Sequence, residues 1–196
     1  MSISLDRAVS VEDLRQLSRK RLPRVLFHFV DDGSEGQVTR ARNLAAFDSV
    51  SFRPHAATAH AVRDLRASVL GNELSFPVMI APTGGARMLH PQGEIALAEA
   101  ANEAGIGYVY PHVGGHGMER VRGAAQNGLM WYQIYPTGGM EVVSNALKRV
   151  EKCNFKALVV TVDSPGVPNF EDCRRFGITE LCSGGHSFDS SPVRKI

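Results

Sequence analysis

The chain has 196 residues, 43% hydrophobic and 21% charged, which is enough length for one sizeable core and argues against a largely disordered polypeptide. Its 22 basic and 20 acidic residues give a formal charge of +2 with no basic stripe, so neither nucleic acid nor a membrane surface is an expected partner. Three cysteines form no CxxC pair, and the N-terminus has no secretory h-region, so free thiols in a soluble, cytoplasmic protein are expected.

The first predicted elements are helical. Ser10 followed by Asp13 has the spacing of a capping box, which predicts a helix over 11–19. Pro23 stands where a second helix begins, and Asp32-Gly33 ends it. A third helix is expected over 37–46. Further on, Gly71-Asn72 separates two short extended runs at hairpin spacing.

From residue 77 the grammar changes. Short runs rich in β-branched or aromatic residues at 78–81, 108–113, 130–135 and 157–162 predict strands, and helical patterns at 91–104, 118–126 and 140–152 fall between them. In the last helix Val142, Val143, Ala146, Leu147 and Val150 form one apolar stripe suited to packing on a sheet. Gly105 and Gly128 stand where helix C-caps are expected. Such alternation means parallel strands with crossover helices. The first strand-to-helix turn, PTGGARMLHPQG, lacks the G-x-G-x-x-G of a dinucleotide fold, so a (β/α) barrel is favoured over a doubly wound sheet.

Four blocks, RLPRVLFHFVDDGSEGQVTRARNLAAFD, DLRASVLGNELSFPVMIAPTGGARMLHPQGEIALAEAANEAG, MWYQIY and KALVVTVDSP, stand in the order found in a known family. The chain resembles the FMN-dependent α-hydroxy-acid dehydrogenases and oxidases, the glycolate oxidase, lactate oxidase and mandelate dehydrogenase group. The resemblance implies an α/β fold of the (β/α)8 TIM-barrel type: a helical lead-in with hairpin over 1–76, the first half of the barrel over 77–176, and a polar tail over 177–196. It also implies FMN contacts from Ala81, Pro82 and Thr83, from Gln133 and from Thr161, with Tyr135 facing substrate. The implied reaction converts a small 2-hydroxy acid to a 2-oxo acid, with the flavin carrying the redox step.

Departures from the family pattern fall on the active site. Phe29 stands where a tyrosine usually binds the substrate carboxylate, and Phe170 where an arginine usually clamps it, with Arg174 and Arg175 just beyond. After the second strand a serine-rich loop is replaced by Pro111-His112-Val113-Gly114-Gly115-His116, and proline has no amide to donate. The family's flavin-charge lysine, catalytic histidine and phosphate loops belong to later strands, so this chain is expected to be a truncated member, not competent alone. The expected partners are accordingly a small 2-hydroxy acid and either a second copy or the missing C-terminal half.

Two alternatives accompany that expectation. One is a related flavoenzyme acting on a peptide-derived substrate, as in the mycofactocin-synthase-like branch; the other is a non-catalytic half-barrel that binds a partner. His112 and His116 are read as loop histidines rather than metal ligands, because Gly114-Gly115 breaks any helix between them. His90 is read as part of a turn and helix start.

Overall fold

The computed structural model describes residues 5–59, 62–163 and 169–176. In chain order the elements are α1 (Val11–Arg21), α2 (Arg24–Asp31), α3 (Val38–Ala46), β1 (Ala67–Val69), β2 (Asn72–Leu74), β3 (Met79–Ile80), α4 (Ala86–Leu89) and α5 (Gly93–Ala104). They continue with β4 (Gly107–Tyr110), α6 (Met118–Ala124), β5 (Met130–Ile134), α7 (Met140–Lys152), β6 (Leu158–Val160) and α8 (Glu171–Arg175). Two compact units result: 5–57 with 169–176, and the described residues of 58–164. The stretch 177–196, with Cys182 in it, lies outside the described residues.

In the helical unit, α1 begins as its sequence dictates. The Ser10 hydroxyl accepts from Asp13 N at 3.1 Å, and the Asp13 carboxylate accepts from Ser10 N at 3.1 Å, a complete capping box. Helix α8 was not foreseen, and its N-cap residue Phe170 has no side chain able to cap. Asp32 takes that role from the end of α2, accepting from Asp172 N (3.1 Å) and Cys173 N (3.2 Å). Cys173 is disulfide-bonded, which corrects the expectation of three free thiols; Cys153 is free and buried.

In the sheet unit, β1 and β2 form an antiparallel hairpin with Val69 opposite Asn72. The tight turn is therefore Leu70-Gly71 rather than Gly71-Asn72. Both central residues lie at positive φ, 45° and 73°, as a type I′ turn requires, and the Asn72 amide braces the turn by donating to Leu70 O at 2.9 Å. Strands β3, β4, β5 and β6 form one parallel sheet in that order. Sequential parallel strands separated by helices are the repeat from which a (β/α) barrel is built, and the four described strands do not close on themselves.

One sheet face carries the core. Tyr108, Tyr110, Met130, Tyr132 and Ile134 meet Ala98 and Ala101 of α5, Val121 of α6 and Val150 of α7. Strand β4 stops at Tyr110 because Pro111, fully buried, cannot extend the ladder. Gly105 caps α5 in the left-handed region, as expected. Gly128 does not cap α6, whose C-cap is Ala125; the Arg122 guanidinium instead donates to Gln126 O and Gly128 O, both at 2.7 Å, and satisfies the carbonyls beyond the helix.

Candidate functional site

Loops following parallel strands gather at the C-terminal edge of a sheet, where a barrel enzyme binds its ligand. At that edge, Gln133 of β5 is only 4% exposed and its amide is fully specified. Its Oε1 accepts from His112 N at 3.0 Å, and its Nε2 donates to Thr161 Oγ1 at 2.9 Å. A backbone N–H can only donate, so the amide cannot be turned the other way. Gln133 keeps a second N–H and Thr161 its own O–H, and neither makes a further side-chain hydrogen bond among the described residues. The pair thus offers two donors to an acceptor-rich edge.

The loop after β4 is fixed at several points. Glu94, buried on α5, accepts from Gly115 N at 3.0 Å, and Arg87 donates to Gly115 O at 3.0 Å. The approach is close enough that a Cβ at Gly115 would lie 2.5 Å from Arg87 Cβ, so only glycine fits there. Tyr110 donates its hydroxyl to His116 O at 2.6 Å; burial first, then the Glu94 carboxylate, pushes this phenol up to about 12, so it stays a neutral donor. His116 Nε2 lies 3.0 Å from Pro91 O, and since a carbonyl only accepts, that nitrogen carries the proton. The neighbouring Tyr108 phenol is also shifted upward, by burial and then by Glu94.

The residues singled out from sequence are not all brought together. Gln133 and Thr161 are brought into direct contact. Ala81, Pro82 and Thr83 follow β3 and are exposed, with no side-chain hydrogen bond to that pair among the described residues. Tyr135 stands one residue beyond β5; its amide donates to His112 Nδ1 at 3.0 Å and the two rings are 6.0 Å apart. Phe29 and Phe170 belong to the helical unit, where both pack with Phe176 against the buried Cys173. His28 stacks on Phe176 at 4.1 Å. His90 is a turn residue, its Nδ1 accepting from Gln92 N at 3.3 Å. No group of three or more His, Cys, Asp or Glu side chains suited to a metal occurs among the described residues.

Sequence reasoning missed the staples of the β4 loop, Arg87 and Glu94, and the double role of His112. The one signal for His112 was Pro111, whose missing amide makes the next residue the first donor past the strand.

Residues 18–184 match the family described as FMN-dependent dehydrogenase. The chain belongs to that family. It is 35% identical over 161 residues to 2-hydroxyacid oxidase 2 of Bos taurus, covering 82% of this chain and 46% of the relative. It is 33% identical to a peroxisomal (S)-2-hydroxyacid oxidase of Arabidopsis thaliana, covering 82% and 44%. Among solved structures, a soluble mutant of the membrane-associated (S)-mandelate dehydrogenase of Pseudomonas putida superposes with a TM-score of 0.80 at 30% identity, covering 85% of this chain and 47% of that one. The flavin-binding domain of baker's yeast flavocytochrome b2 gives 0.84 at 22% identity, covering 91% and 47%, a likeness of fold. The chain therefore spans about half the length of the curated relatives it matches, and its fold is the corresponding part of a TIM-barrel flavoenzyme with a helical lead-in. The cofactor of the family is FMN.

No described helix is long and apolar enough to cross a membrane. The peroxisomal relative means that the cytoplasmic expectation is not carried further.

Proposed function

We propose that this chain supplies the flavin edge of an FMN-dependent oxidoreductase that converts a small 2-hydroxy acid to a 2-oxo acid. The observation that carries the reading is the Gln133–Thr161 pair, whose geometry leaves two donors free for an acceptor-bearing ring edge. The pyrimidine end of an isoalloxazine, with its two carbonyls and ring nitrogens, suits those donors. When bound, FMN supplies the redox chemistry, and the protein supplies orientation and electrostatic tuning. Ala81, Pro82 and Thr83 would approach the ring through their backbone, and Tyr135 would face the substrate. The substrate class is supported by the names of the relatives, 2-hydroxyacid oxidases of Bos taurus and Arabidopsis thaliana.

On this reading the 196-residue polypeptide binds flavin weakly and does not turn over alone. The test is titration with FMN, followed by flavin fluorescence and the visible difference spectrum, and then a panel of 2-hydroxy acids. Perturbation by the wild type should weaken at Gln133→Leu and Thr161→Val, by about two- to tenfold for each lost hydrogen bond. Absence of any flavin perturbation would overturn the flavin edge, and appreciable turnover would overturn the claim that these 196 residues do not turn over alone.

One observation favours a second reading, a flavoenzyme of the same family acting on a bulkier, peptide-derived substrate. Phe29 and Phe170 take part in an apolar cluster rather than offering a hydroxyl and a guanidinium to a carboxylate. Competition binding separates the two: small 2-hydroxy acids alone perturbing the bound flavin would exclude the peptide reading.

A further inference from the structure

His112 is bonded on either side of Ile134, to Gln133 within β5 and to Tyr135 just beyond it. Its backbone N–H donates to the Gln133 side chain at 3.0 Å, and its imidazole Nδ1 accepts the Tyr135 amide at 3.0 Å. Gln133 in turn donates to Thr161 beyond β6, so one residue at the end of β4 sets the relation among the ends of three strands. Its ring is confined by Tyr132 and Tyr135, whose centroids lie 6.2 and 6.0 Å away. The loop that carries it is held by Glu94 and Arg87 at Gly115 and by Tyr110 and the Pro91 carbonyl at His116.

We propose that His112 is a positioning residue for the flavin edge, acting through Gln133 and Tyr135; the proposal rests on the flavin reading above. The chemistry is specific to an acceptor at the Nδ1 position. An amide must donate to it, so the ring holds its proton on Nε2, and a side chain with no acceptor there leaves the Tyr135 N–H without its partner. Once that end of β5 is released, the Gln133 amide has no fixed backbone to aim from, and the donor pair it forms with Thr161 loses its orientation. Asparagine places a carbonyl oxygen close to where Nδ1 stands, so His112→Asn should preserve the clamp and His112→Ala should not.

The experiment compares wild type, His112→Ala and His112→Asn as full chains, with three readouts: FMN affinity by fluorescence, the thermal midpoint, and the Gln133 side-chain amide resonances, assigned by their loss in Gln133→Glu. The expected result is an affinity about tenfold weaker in His112→Ala, with recovery to within about threefold in His112→Asn, the scale of one well-placed hydrogen bond. A His112→Ala protein whose midpoint falls while its FMN affinity and flavin spectrum stay at wild-type values overturns the proposal, because the imidazole would then be structural only. If wild type itself leaves FMN unperturbed, the flavin reading is what fails. The positioning claim is then decided by resonance: displaced Gln133 amide signals in His112→Ala that return in His112→Asn support it, and unmoved signals overturn it.

Discussion

In the helical unit Leu17, Phe27 and Cys173 are the buried apolar residues, while the sheet unit buries a continuous cluster that includes Ala98, Tyr108, Val121, Met130, Tyr132, Ile134 and Val150. The helical unit closes instead on two adjacent carboxylates. Asp31 receives the Arg15 guanidinium at 2.5 and 2.7 Å, and Asp32 accepts from Gly33 N, Gln37 Nε2 and two amides of α8. Apolar burial is non-directional and tolerates small shifts, whereas a carboxylate works only while it is ionised and its donors stay aligned. The helical unit should therefore respond to pH and to single polar substitutions, and the sheet unit chiefly to loss of volume.

Trp131 on β5 is the single tryptophan of the chain and reports on the sheet unit, so a loss of helical circular dichroism that leaves the Trp131 signal unmoved belongs to the helical unit. The largest expected effect is Met130→Ala, at a residue only 1% exposed, which should cost about 2–5 kcal/mol and lower the denaturant midpoint read by Trp131 fluorescence. A change below about 1 kcal/mol would mean that the cluster collapses around the gap and is not packed as described. Next comes Asp32→Ala. It strips the cap from α8 and should cost about 2 kcal/mol, seen as lost helical circular dichroism with the Trp131 transition unmoved. Coincident shifts in both signals would break the distinction between the units.

The pH arm has a definite sign. The hydrogen bond from Arg15 is the main cause holding the Asp31 carboxyl below its usual range, with Arg40 and His28 adding to it against the opposing cost of burial. A carboxylate whose folded value is depressed contributes stability above the unfolded value, and loses it as pH falls through the folded one. The helical signal should therefore weaken as pH is taken below about 4, and by no more than about 1 kcal/mol, since the partner Arg15 is 36% exposed and screened. Asp31→Asn should remove most of that acid dependence and leave the Trp131 signal as it was. An acid slope unchanged by Asp31→Asn would move the effect to other carboxylates.

Features resolved within a few residues were legible in the sequence. Helix α7 follows its apolar period from Met140 to Lys152. The bonds that make the site specific join residues far apart in the chain, Gly115 to Glu94 across 21 positions and Tyr135 to His112 across 23, and in the helical unit the cap that Asp32 gives to Cys173 spans 141. No local pattern encodes such partners. Propensity describes what a segment prefers, and it is the packing of the sheet that decides which loop amide meets which carboxylate. The hairpin turn fell between these cases: Gly71 was correctly seen as a turn residue, but the placement of Leu70 at positive φ is set by strand register, which pairs Val69 with Asn72.

The smallest expected effect is Ser10→Ala, and it is the sharpest check on the idea that legibility and energetic weight are separate. The Ser10 cap is the feature most plainly written in the sequence, both of its bonds lying within three residues, yet it stands at an exposed helix start where water can replace the lost acceptor. Its loss should cost about 1 kcal/mol or less, less than the removal of Asp32, which supplies the same kind of cap to α8 from half-buried surroundings. Helical circular dichroism during urea unfolding measures both variants on one scale. If Ser10→Ala proved the costlier, the helical unit would be organised from its N-terminal helix outward rather than around the Asp31–Asp32 junction, and the ordering of effects within that unit would have to be reversed.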